Sequence, residues 1–339
     1  MAPSLKPNYK LVWDFDPSKP RGCYVECSVT YGETSDERRM YLYSAEKMNN
    51  SFNVHNNNVA NGLRGVLERV FLVEVDGKFC LPPAPKGGIF KDRLSTFKKK
   101  FRGMCPRTRP ISCEEFIASR PSCKRARYTN ALERVKICDI RRSDSFWTCF
   151  LKAEKINFSE KADPAPRIIY PRTPVYNLLL ARYISPAEHS VYVAIDRIYG
   201  HSTVAKGKNS IQTAELLRNA WESFTDPVAL GLDAKRFDEH CSQQALQWEH
   251  GIYNMIFGND PELQRLLATQ INNKGFMYFK DGRIKFNVPG RRGSGDMNTA
   301  VGNVLLMCAM LYAYCSSHLK KFRVADNGDD AVLIVERSD

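Results

Sequence analysis

Three groups of side chains in this sequence are of the kind that handle metal ions and phosphates. The first is acidic. Asp233 ends the apolar run Pro227 to Leu232, and Asp329 and Asp330 complete the turn Asn327-Gly328-Asp329-Asp330 between the apolar runs 322–325 and 331–335. If these runs are paired strands, their terminal carboxylates meet. Such oxygens suit two Mg²⁺ ions about 3.5–4 Å apart, which activate a hydroxyl nucleophile and stabilise a pyrophosphate leaving group. Taken alone, an Asp on a turn is simply a good turn residue.

The second group is polar. Asp238 lies five residues beyond Asp233, and Ser294, Thr299 and Asn303 follow one another at separations of five and four. Thr299 and Asn303 share one face of an otherwise apolar helix. Buried amides without partners are costly, so that face meets water, a ligand or a hydrogen-bonding neighbour helix. By position alone Asp238 reads as an acid ahead of a helix N-terminus. The third group is cationic. Lys152 and Lys155, then Arg167 after a loop bearing Lys and Pro, form either a strand pair over a triphosphate or an ordinary exposed basic hairpin.

These groups need elements to hold them. Leu11-Val12-Trp13, Tyr24-Val25 and Val70-Phe71-Leu72-Val73 have strand composition. The Asn-rich run 51–61 reads as a loop, and residues 81–90, rich in Pro and Gly, read as a linker. Pro227 to Leu232 reads as a strand, 241–257 as an amphipathic helix, and 275–288 as a hairpin turning at Asp281-Gly282. A glycine-rich basic loop, 289–295, leads into a long helix over 296–318, and 322–335 forms a second hairpin.

The formal charge of +13 indicates a polyanionic partner, nucleic acid or an anionic membrane. Residues 86–142 hold 17 Lys and Arg against 5 Asp and Glu, so that stretch carries nearly all of the excess. Phe90, Phe97, Phe101, Phe116 and Tyr128 are interleaved with these cations. Aromatics among cations suit single-stranded nucleic acid, but these rings read better as the core side of basic helices. The 11 cysteines contain no CxxC pair, which favours reduced thiols over structural zinc. Residues 1–10 hold no apolar run of signal-peptide type, and 299–315 is short for a bilayer span and contains Asn303.

Taken in order, Lys152-x-Glu154-Lys155 with Arg167-Ile168, Asp233-x4-Asp238, Ser294-Gly295-x3-Thr299-x3-Asn303 and Gly328-Asp329-Asp330 resemble motifs F, A, B and C of viral RNA-dependent RNA polymerases. The wording around them, from Phe150 to Phe158, Asp163 to Arg167, Arg236 to His240 and Gly290 to Thr299, looks like the tombusvirus and carmovirus type of plant positive-strand RNA virus. The resemblance spans about residues 122–337. It implies an α+β right-hand polymerase fold. Residues 86–225 would be a basic fingers region with motif F, and 226–339 a palm with motifs A, B and C, with 260–290 partly fingers. Residues 1–85 carry no recognisable motif.

The resemblance also implies roles. Asp233, Asp329 and Asp330 would hold two Mg²⁺ ions, with Mn²⁺ as the alternative. Asp238 and Asn303, aided by Ser294 and Thr299, would read the ribose 2′-hydroxyl, the group that separates RNA from DNA. Lys152, Lys155 and Arg167 would contact the triphosphate, and Arg292 would lie near the nucleotide. Expected partners are viral RNA template and nascent RNA, ribonucleoside triphosphates, a viral auxiliary replicase protein and host factors. The expected location is host cytoplasm at membrane-associated replication complexes, with membrane association indirect. Polymerases of this type continue past the Gly-Asp-Asp hairpin into a thumb. Here the sequence ends nine residues after Asp330, so the expectation is fingers and most of a palm with the thumb largely absent. Two other readings remain: a reverse transcriptase, marked by dNTP preference, and a non-enzymatic basic RNA-binding or replicase-assembly protein using residues 86–142.

Overall fold

The computed structural model describes residues 22–30, 32, 37–41, 52–157, 159–160 and 163–339. The strand expected at Leu11-Val12-Trp13 lies outside them. Two sheets and a cluster of helices position the acidic and polar groups. The smaller sheet has the order Phe322–Asp326, Asp330–Glu336, Pro227–Asp233, antiparallel throughout. Its central strand buries Ala331, Leu333, Ile334 and Val335. Leu333 and Val335 pack with Cys315 and Val324, while Ile334 packs with Ala220 and Phe224. Helices therefore pack on both faces of the central strand, while Ala229, Leu230 and Gly231 of the edge strand stay exposed.

The helix Thr299–His318 runs through the main core, where Val304, Leu305, Cys308 and Ala309 are fully enclosed. A helix apolar nearly all round belongs inside a protein or a bilayer. By length and composition this one could cross a membrane, and here the neighbouring helices Pro174–Tyr199 and Gln243–Ile256 cover it. Thr173 caps the first of these, accepting from the Tyr176 N–H. Ser242 caps the second in the same way, accepting from the Ala245 N–H.

The larger sheet joins segments far apart in the chain. Its order is Tyr24–Val29, Gly282–Pro289, Asn272–Phe279, Trp147–Leu151, Ile168–Ile169, with only the 147–151/272–279 pair parallel. Along Gly282–Pro289 every second residue is buried, including Ile284, Phe286 and Val288. That face packs against Val66, Val70 and Phe71. The first strand of this sheet thus comes from the segment that carried no motif.

Three expectations need correction. Val70 to Val73 is not a strand: the helix Val59–Val66 continues as a π-helical turn, Leu67–Phe71, and extended structure begins at Val73. Asn58 starts this helix by accepting from the Asn61 N–H, so the Asn-rich loop is shorter than expected. Burial of Val66, Leu67, Val70 and Phe71 follows helical spacing, which outweighs their β-type composition. In the 272–289 hairpin Phe279 pairs with Gly282, so the two turn residues are Lys280 and Asp281. In the basic stretch Phe97, Phe101 and Phe116 are buried, as the core reading of those rings expects. Among the described residues Cys149, Cys241, Cys308 and Cys315 are buried free thiols.

Candidate functional site

The smaller sheet brings the acidic groups together. In the register of its edge, Asp330 stands opposite Asp233, at the end where the turn 327–330 crosses from one strand to the next. Asp233, Asp329 and Asp330 are all exposed there. The turn is held from below by Asp326, which is fully buried. Its carboxylate accepts from the Gly328 N–H at 3.2 Å, and its backbone carbonyl accepts from the Ala205 N–H at 2.7 Å. Asn327 N–H donates to the Asp330 carbonyl at 2.8 Å, and Gly328 takes a φ of 112°, open only to glycine at low cost. Burial pushes the Asp326 carboxyl up to about 8, with Asp329 adding to the rise and the Gly328 N–H opposing it. Sequence reasoning missed this residue, because an Asp before a turn looks like every other turn Asp.

A cleft of about 540 Å³ opens over this edge. Its walls include Asp233 and Asp329, the polar group Asp238, Ser294, Thr299 and Asn303, and the cations Lys152 and Arg167. Four segments read separately in the sequence therefore meet at one cavity. Asp238 is the hub of the polar group. Its carboxylate accepts from Ser294 Oγ at 2.5 Å and from Asn303 Nδ2 at 3.2 Å. Its backbone carbonyl accepts from the Arg292 N–H at 2.9 Å. Thr299 Oγ1 turns back to the Gly293 carbonyl at 2.8 Å and closes the loop ahead of the helix. Asn303 Oδ1 is buried with no hydrogen-bond partner, an orphan acceptor in the cleft wall. Such a group invites a donor from a ligand.

On the cationic side, Glu154 bridges the two bases, 3.0 Å from Lys152 Nζ and 3.5 Å from Arg167 Nη1. Arg69 lines the same cleft. It donates twice to the Ala165 carbonyl, at 3.1 and 3.0 Å. Burial, then the nearby charges of Arg236 and Arg167, lower its pKa. Nothing in the sequence marked Arg69, which sits on the π-helical turn misread as strand.

Two expected residues lie elsewhere. Lys155 does not line the cleft; its Nζ sits 5.7 Å over the Phe52 ring. Arg292 is a correction to the expected nucleotide contact. It is buried, and its guanidinium pairs with Glu249 through two N–H donors. Burial works to raise the Glu249 carboxyl, and the Arg292 charge and hydrogen bonds outweigh it, so the group is held below the usual range. Asn298 and Tyr253 also donate to Glu249, at 2.9 and 2.8 Å. Gly302 lets this network lie against the helix, since a Cβ there would collide with both Glu249 and Arg292. Nearby, Arg172 grips Asp296 at 2.6 and 3.0 Å and Asn273 at 2.8 Å. These buried pairs fix the 290–298 loop that presents Ser294.

The exposed carboxylates suit hard divalent cations, which take oxygen ligands. Among the described residues no three acidic, thiol or imidazole groups, the expected trio Asp233, Asp329 and Asp330 included, are gathered closely enough to hold a metal ion.

Residues 27–339 match the family described as viral RNA dependent RNA polymerase. The chain belongs to that family. The match takes in residues 27–85, which held no readable motif, in keeping with their strand in the larger sheet. The chain is 40% identical over 306 residues to the RNA-directed RNA polymerase of Tobacco necrosis virus (strain D), covering 89% of this chain and 42% of that protein. It is 42% identical over 301 residues to that of Melon necrotic spot virus, 88% of this chain and 38% of the other. With the polymerase of Tomato bushy stunt virus (strain Cherry) the figures are 42% over 303 residues, 89% and 37%. The chain thus spans about two fifths of the length of the curated relatives it matches. The family expectation from the ordered motifs holds, and members of this family generally use divalent metal ions.

Proposed function

We propose that this chain carries the centre for RNA-templated RNA synthesis, using two divalent ions for nucleotidyl transfer. One observation carries the reading: a single cleft joins Asp233 and Asp329 to Asp238, Ser294 and Asn303 and to Lys152 and Arg167. Asp233 and Asp329 would hold the ions, with Asp330 beside them. Bound there, the ions would supply Lewis acidity at the attacking and leaving oxygens. Lys152, Arg167 and Arg69 would bind the triphosphate. Asp238 orients Ser294 and Asn303, and the free Asn303 Oδ1 would accept from a ribose 2′-hydroxyl, the donor a deoxynucleotide lacks. That choice favours an RNA polymerase over a reverse transcriptase.

In this reading residues 226–339 are palm, 86–225 are fingers with motif F, and 260–290 belong partly to the fingers. The partners are RNA template, nascent RNA and ribonucleoside triphosphates, in a host cytoplasmic replication complex joined to membranes through other proteins. Primer extension on an RNA template tests the proposal. Wild type should incorporate ribonucleotides in Mg²⁺, and Asp329→Ala should abolish incorporation. Equal incorporation by the two removes Asp329 from the mechanism, and a preference for dNTPs overturns the RNA assignment.

A further inference from the structure

The end of the helix 59–71 is held in an unusual way. The last carbonyls of a helix have no intrahelical partner, and that end carries partial negative charge. Here two arginines from two separate loops supply the missing donors. Arg236, three residues past Asp233, donates Nη1 to the Glu68 carbonyl and, at 3.4 Å, to the Leu72 carbonyl. Arg291, in the loop ahead of Ser294, donates Nε to the Val70 carbonyl at 2.6 Å. The helix end itself is a π turn, with Leu72 N–H reaching the Leu67 carbonyl at 2.8 Å. π turns recur at functional sites.

Both arginines sit in the left-handed backbone region, with φ of 54° at Arg236 and 72° at Arg291. Residues with a Cβ adopt that region at a cost and keep it only where the surroundings demand it. The two loops are also tied to each other: Arg291 N–H donates to the Cys241 carbonyl at 2.6 Å, and Arg292 N–H to the Asp238 carbonyl at 2.9 Å. Between the arginines lies Glu239, whose carboxylate oxygens are buried without hydrogen-bond partners, 3.6 Å from Arg236 at the nearest. The residues next to this junction, Asp238 and Ser294, are the pair joined across the cleft.

We propose that Arg236 and Arg291 are positioning residues that clamp the 233–241 and 289–295 loops to the end of helix 59–71, and so set the Asp238–Ser294–Asn303 geometry that selects ribose. The inference rests on the proposed ribose-reading role of that trio. It gives the end of helix 59–71 a part in ribose selection that acts through the two loops and is separate from the triphosphate contact proposed for Arg69.

The test uses the intact protein with Arg236→Met, which keeps an unbranched apolar stem and removes the charge and donors, and Arg236→Lys, which restores charge and a donor. The readout is the ratio of kcat/KM for a ribonucleotide to that for its 2′-deoxy counterpart. Loss of a positioning hydrogen bond should lower this ratio about tenfold in Arg236→Met, with part of the loss recovered in Arg236→Lys. Arg291→Met should act in the same direction and takes the place of Arg236→Met if that variant does not fold. A ratio within twofold of wild type in every folded variant overturns the proposal, even where total activity falls. Amide hydrogen exchange gives an answer that needs no activity. Exchange should rise at 234–240 and 290–295 while the helix 299–318 is unchanged, and unchanged exchange in both loops also overturns it. If wild type itself incorporates nothing, the polymerase reading fails, and exchange alone still decides the clamp.

Discussion

Glu239→Gln should stabilise the protein at neutral and alkaline pH and leave it unchanged in acid. The Glu239 carboxyl is buried beneath the cleft, and burial pushes it up to about 7 from an ordinary 4.5, even though Arg236, Arg291 and Arg69 pull the other way. Below pH 4.5 the folded and unfolded chains both hold the proton, and the residue makes no difference between them. Between pH 4.5 and 7 the unfolded chain releases its proton while the folded one keeps it. The unfolded state then binds fewer protons, so stability falls as pH rises through this window. Above about 7 the loss is complete. A rise from 4.5 to about 7, at 1.36 kcal/mol for each pH unit, corresponds to roughly 3 kcal/mol. Glutamine has the shape of the protonated acid and no charge to bury, so the variant escapes this loss. At roughly 2.1 cal/mol/K of unfolding entropy per residue, the difference amounts to about 4 °C in Tm for a chain of this length. Urea unfolding of both proteins from pH 4 to pH 8 reads the effect directly. The curves should coincide near pH 4 and separate progressively up to pH 7. Parallel curves, or a variant less stable at pH 8, would refute the claim that Glu239 is held without adequate partners.

Other substitutions probe the rest of the site. Arg292→Met should cost about 3–5 kcal/mol in urea unfolding, because it strands the buried Glu249 charge, and Glu249→Gln in the same chain should return part of that loss. Gly302→Ala should destabilise by about 1–3 kcal/mol, since its methyl enters the space of that pair, a change again read by urea midpoint. Arg69→Met should raise KM for nucleotide about tenfold, the worth of one charge-assisted contact, and lower stability by about 1–3 kcal/mol because the Ala165 carbonyl loses both its donors; an unchanged KM in the folded variant removes Arg69 from the triphosphate site.

The parts of the site that could be read in the sequence are those encoded over a few neighbouring residues. A turn flanked by apolar strands announces Asp329 and Asp330, an apolar run announces the placement of Asp233, and a spacing of four puts Thr299 and Asn303 on one helix face. The convergence of Lys152 and Arg167 on the same cleft rested on resemblance, because a basic hairpin alone has too many other uses. What escaped reading depends on contacts between distant segments. Arg291 meets a carbonyl 221 positions away, and Arg236 one that is 168 away. Arg292 carried a plausible charge in a plausible loop, yet a buried carboxylate from the helix Gln243–Ile256 claimed it. The run Val70 to Val73 was misread because valine, phenylalanine and leucine serve a buried helical turn as readily as a strand. Only the Asn58 cap and the spacing of buried positions distinguish the two.

The larger sheet also sets a timetable for synthesis. Its first strand is joined to the partner strand by the Glu26–Lys285 ion pair, whose members are 259 residues apart. A ribosome adding about 5–20 residues per second leaves that strand without its partner for roughly ten seconds to a minute. Over this interval the strand offers unpaired backbone donors and acceptors to any other extended chain nearby. Many copies translated side by side from one message would carry the same open edge at the same moment. The demand for chaperones should therefore be greatest while the chain is being made, and should fall once residue 289 has cleared the exit tunnel.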